Sequence, residues 1–111
     1  MATFDDFLKL DIRVGTIVAI EPFPRARNPS YKVTVDFGGE IGTRRSAAQA
    51  TNYSEAELLN MQVLCVVNFE PKNIAGFMSE ALILGVPSET DSHKVSLLTP
   101  SRKAVVGSKV Y

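Results

Sequence analysis

The chain has 111 residues, 45% of them apolar, enough to bury one hydrophobic core but too short for two and too apolar to stay disordered. Twelve Lys and Arg balance twelve Asp and Glu, so no overall field gathers a polyanion and only a local basic patch can serve nucleic-acid binding. The longest apolar runs, Val63 to Val67 and Ala81 to Leu84, are far below the roughly 20 residues of a membrane span, which excludes insertion by a helix.

The N-terminal stretch Met1 to Lys9 holds Asp5 and Asp6 where a secretory leader holds a basic end and an apolar run, so a cytoplasmic protein is expected. Thr3 and Asp6 have capping spacing around Phe4, Phe7 and Leu8, which predicts a short helix. Such a helix is too short to stand alone, and its two Phe residues make it a candidate dimer contact.

From Leu10 the apolar period becomes two, with Ile12 and Val14 alternating against Asp11 and Arg13, and Gly15 is expected to mark a bulge. Pro22, Pro24 and Pro29 punctuate a loop containing Arg25 and Arg27, after which Tyr31, Val33, Val35 and Phe37 alternate with polar residues up to a Gly38-Gly39 turn. The third strand, Ile41 to about Gln49, is small and polar, which leaves one face open to a ligand. Ser54 and Glu57 then form a capping box for a helix from Glu55 to Leu59, stopped by Asn60.

The fourth strand, Met61 to Phe69, is apolar on both faces and needs a cover on each. Cys65 lies within it and reads as a small buried hydrophobe, with no second Cys for a disulfide. Strands from Phe77 to Gly85 and from Lys94 to Thr99 complete the pattern, followed by a short mixed tail. Three strands, a helix and further strands predict an all-β, five-stranded OB-fold barrel with the helix between strands 3 and 4. The short N-terminal helix and a C-terminal extension complete the one domain expected over residues 1–111.

Phe7 to Gly15, Val35 to Gly38, Val67 to Lys72 and Ile74 to Glu80 together resemble the signatures of the tRNA-binding-domain family of OB folds. Within it, Ser46-Ala47-Ala48-Gln49, Asn68-Phe69 and Ile74-Ala75-Gly76-Phe77 before Ser79-Glu80 are most similar to the CsaA chaperones. The resemblance implies a homodimer that takes up unfolded preprotein segments and works with the translocation motor ATPase SecA. The tRNA-binding members carry a Gly-Met pair where Ala81-Leu82 stand here, and a Pro-x-Ala-Asp-x-Leu loop where Pro24 to Pro29 reads Pro-Arg-Ala-Arg-Asn-Pro.

A peptide binder needs apolar surface and a few groups to satisfy a client's backbone. Asn68, Gln49, Ser46 and Ser79 are the candidate polar groups; Phe69, Ile74 and Phe77 are the candidate apolar wall, with Phe77 expected exposed at a strand entrance. Asn68 equally suits a role in satisfying a neighbouring backbone, and Phe69 shares the phase of the core residues Cys65 and Val67. Ser46 and Gln49 fall on opposite faces of a regular strand.

The alternative is a tRNA-binding rim of Arg25, Arg27, Lys32, Arg44, Arg45 and Lys72, with Tyr31 or Phe77 as a stacking platform. Catalysis has little support: His93 is the lone histidine, no strand-turn-helix elbow presents a serine, and no phosphate-cradling Gly motif occurs. One His and one distant Cys do not make a metal site, so a binding protein without cofactor is expected.

Overall fold

The computed structural model describes residues 1–111. The first element is α1 (Phe4–Leu8), where the Thr3 hydroxyl accepts from the Asp6 N–H and the Asp6 carboxylate accepts from the Thr3 N–H, completing the expected capping box. None of its residues is buried, and the Phe4 and Phe7 rings lie 6.1 Å apart with Phe4 70% exposed.

Strands β1 (Ile12–Pro22), β2 (Tyr31–Asp36), β3 (Thr43–Ala48), β4 (Gln62–Val66) and β7 (Leu82–Ile83) form one antiparallel sheet in the order β3-β2-β1-β4-β7. The helix α2 (Glu55–Leu58) lies between β3 and β4, capped as expected by Ser54 and Glu57, and Leu58 plugs the core at 1% exposure. This five-stranded, nearly closed barrel with a helix after its third strand is an OB fold. Its core is built from the inward positions of the alternating strands, Ile17, Val33, Val35, Val63 and Cys65, together with Phe37. Burial pushes the Cys65 thiol up to about 12, which keeps it protonated and inert.

Several local expectations are corrected. The irregularity in β1 falls between Ile17 and Ala19, not at Gly15. Gly15 answers a different demand, because a Cβ there would run into Val35 and come within 2.7 Å of the Phe37 ring. The strand expected from Phe77 to Gly85 is broken into β6 (Phe77–Ser79), β7 and β8 (Gly85–Pro87), each with a different partner. A short strand that periodicity missed, β5 (Lys72–Ile74), pairs with β6 in a hairpin turning through Ala75 at φ 50° and Gly76 at φ 86°. The strand β8 pairs with β9 (Val95–Leu97).

The fourth strand is shorter than expected, and Asn68 and Phe69 lie beyond its end. Its inward residues Val63 and Cys65 are fully buried, while on the other face Val66 is 3% exposed and Leu64 is partly buried. The C-terminal extension follows β1: the Val14 N–H donates to Ser108 O at 3.0 Å, and Gly107 and Val110 donate to Val14 O and Ile12 O at 2.7 and 2.8 Å.

Candidate functional site

The sheet has two edges, β3 and β7, and the seam between them is closed by two side chains and one backbone bond instead of a regular ladder. On the β3 edge, the Ala47 N–H donates to Ser79 Oγ at 3.1 Å and the Arg45 N–H donates to Glu80 Oε1 at 3.0 Å. The Glu80 N–H returns a bond to Arg45 O at 2.7 Å. These bonds hold the β5–β6 hairpin against β3 and satisfy backbone groups that a sheet edge would otherwise leave open.

One face of the hairpin and the seam beside it make an open groove of about 400 Å³. Gln49, Phe69, Lys72, Ile74 and Ser79 line it, with Glu70, Glu80 and Leu82. Phe69 is 50% exposed and Leu82 48%, so the groove offers apolar surface to solvent alongside an amide, a hydroxyl and charges of both signs. This mixture suits an extended ligand of variable side chains.

Phe77, which pairs with Ile74 on the same face of the hairpin, has a different environment. Phe77 is only 8% exposed and packs edge-to-face on Phe23, with ring centroids 5.4 Å apart. The Lys32 ammonium lies 5.0 Å from the Phe23 ring and 5.4 Å from Phe77, and the Arg45 guanidinium lies 4.8 Å from Phe77. Arg45 also pairs with Glu21 at 3.3 Å. Two cations therefore cap two rings, and the cluster fastens the hairpin to the barrel wall.

Of the seven residues expected to hold a peptide, Gln49, Phe69, Ile74 and Ser79 meet in the groove. Phe77, expected exposed, is instead buried beneath Lys32 and Arg45. Ser46 is 1% exposed because it pairs opposite Val33 on the inward side of the barrel. Asn68 is exposed but both ends of its amide are engaged, its Oδ1 accepting from the Asp11 N–H at 2.9 Å and its Nδ2 donating to Lys9 O at 2.8 Å. It ties the segment before β1 to the end of β4. Beside it, Arg13 grips Asp11 at 2.6 Å, which holds the Asp11 carboxyl below its usual range.

Of the six basic residues of the nucleic-acid alternative, the structure brings Lys32 and Arg45 together at Phe77. Lys32 and Arg45 cap the aromatic pair, Lys72 lines the groove, and Arg27 lines a hollow with Pro22, Pro24, Tyr31 and the Phe23 of that pair. Arg25 is exposed in the same loop. Arg44 follows the inward parity of β3 and donates to Val67 O at 3.5 Å. The Tyr31 hydroxyl donates to Tyr53 O at 2.9 Å. Sequence reasoning missed Phe23, Leu82 and Glu70; the Pro-flanked position of Phe23 and the strand-like phase of Leu82 signal only loop and core.

A family model described as "Putative tRNA binding domain" matches residues 12–109. In structure, the chain is similar to the CsaA chaperone protein from Picrophilus torridus, with a TM-score of 0.92 and 45% identity over 100% of both chains. It is likewise similar to the chaperone CsaA from Bacillus anthracis, with a TM-score of 0.89 and 44% identity over 100% of this chain and 99% of that one. Among curated proteins, methionine–tRNA ligase of Pyrococcus furiosus is 40% identical over 97% of this chain, which spans only 14% of the ligase. With nearly its whole length matched, the chain belongs to the tRNA-binding-domain family of OB folds.

Proposed function

We propose that the chain is a cytoplasmic, non-catalytic chaperone of protein export that acts as a homodimer and holds unfolded preprotein segments in the groove between the β5–β6 hairpin and the β3–β7 seam. The observation that carries this reading is the groove itself, where half-exposed Phe69 and Leu82 stand beside Gln49 and Ser79. Apolar surface captures unfolded side chains, and the amide serves a client backbone. Likeness to CsaA chaperones at full coverage supports it, and SecA is the downstream partner that the family resemblance implies. The dimer is supported by apolar side chains that one chain leaves uncovered, Phe4, Leu8 and Val105 at 70, 49 and 77% exposure.

The test offers labelled unfolded preprotein and labelled bulk tRNA together to the purified protein, at physiological and at raised salt. Retained preprotein that survives the salt step supports apolar capture. Retained tRNA that is lost with salt supports the second reading, a tRNA-binding protein, which the family description favours. Against that second reading stands the aromatic pair, whose faces are already occupied by Lys32 and Arg45. A mass in dilute solution equal to one chain overturns the dimer.

A further inference from the structure

The groove does not end at the hairpin. Gln49 lines it and also lines a hollow of about 310 Å³ with Thr51, Asn52, His93 and Lys94. That hollow shares Pro29 and Thr51 with a third one, of about 410 Å³, bordered by Arg27 and Tyr31. Shared walls make these concavities one track across a face of the barrel, with Gln49 at the junction.

The chemistry changes along it. Around Phe69, Ile74 and Leu82 the lining is half apolar, and its charges are Glu70 and Glu80 against Lys72. Beyond Gln49 the lining holds no carboxylate, while Arg27 and Lys94 are exposed and have no acidic partner within 4.0 Å. Asp91, close by in sequence, turns its carboxylate back to accept the His93 N–H at 2.9 Å. Two unpaired cations at one end of an apolar groove create a directional preference in a ligand long enough to reach both.

We infer that the preferred client of this track is an extended polypeptide segment whose apolar stretch sits at Phe69, Ile74 and Leu82 and whose adjoining acidic end lies against Lys94 and Arg27. This rests on the chaperone reading and sharpens it by naming the kind of segment held. The molecule measures 38 × 32 × 29 Å, so a strand crossing one face spans about nine residues at roughly 3.3 Å each.

The experiment measures fluorescence anisotropy with labelled synthetic peptides of that length, sharing one apolar stretch and ending in aspartates, glutamines or lysines, with the tail placed at either terminus. In at least one orientation the aspartate peptide is expected to bind about fivefold tighter than the glutamine peptide, the lysine peptide weaker than both, with the difference shrinking as salt rises. The double variant R27Q/K94Q is expected to abolish that advantage while binding the glutamine peptide as the natural chain does, because both side chains are exposed and unpaired. Aspartate tails that bring no gain, or a gain that persists in R27Q/K94Q, overturn the inference and leave the chaperone reading standing. Failure of every peptide to bind, the apolar glutamine form included, overturns both.

Discussion

Two regions along one face of the β5–β6 hairpin, the face shared by Lys72, Ile74, Phe77 and Ser79, do different work. In one, Ile74 and Ser79 border an open groove with exposed Phe69 and Leu82 opposite. In the other, Phe77 is sealed against Phe23 by Lys32 and Arg45. Both regions carry aromatic and basic residues, so composition does not distinguish them; what differs is whether the ring is already covered. A covered ring contributes to stability, and an uncovered one is free for a ligand.

That contrast breaks most sharply at Phe77. Phe77→Ala is expected to cost about 3 kcal/mol of folding stability, read by urea unfolding, because it empties the space between Phe23 and the two cations. Phe69→Ala is expected to leave stability within about 0.5 kcal/mol, since Phe69 is half exposed, yet to weaken peptide capture severalfold. If Phe77→Ala is as stable as the natural chain, or Phe69→Ala captures peptide unchanged, the division between the two regions fails.

Asn68 gives the next largest effect. Asn68→Ala removes the bonds to Asp11 and Lys9 and is expected to cost about 1 kcal/mol with unchanged capture. Loss of capture without loss of stability would move Asn68 from the scaffold to the site. The smallest effect concerns acid. The Arg13 guanidinium holds the Asp11 carboxyl below its unfolded value, so this pair stabilises the fold above the unfolded pKa and loses its contribution as pH falls through the folded one. Asp11→Asn is therefore expected to be less stable than the natural chain at neutral pH by about a few tenths of a kcal/mol, the pair being partly exposed, and the gap closes in acid. A gap that persists unchanged at low pH would assign the loss to packing instead of charge.

The capping residues Thr3 and Asp6, and Ser54 and Glu57, were legible from spacing because a cap is made by neighbours within one turn. The alternation of β2 was legible for the same reason, since the pleat assigns faces residue by residue. Part of the candidate site was legible too, as Gln49, Phe69, Ile74 and Ser79 do meet. Gly15 was singled out but misread: its need for space comes from Val35 and Phe37 on another strand, and no local pattern shows that.

By itself, then, the amino-acid sequence determined both capped helices, the first four strands and the OB topology, since periodicity and capping are short-range chemistry, while the divided strands after β4 were beyond it. Only the tertiary structure decided which side of each element is free. The seam closes through Ala47 with Ser79 and Arg45 with Glu80, contacts between residues 32 and 35 positions apart. Those contacts seat the β5–β6 hairpin against β3, with Phe77 on Phe23 and Ser79 in the groove. Burial of Phe77 and Ser46, and exposure of Phe69, follow from how the barrel closes on itself, which only residues distant along the chain determine.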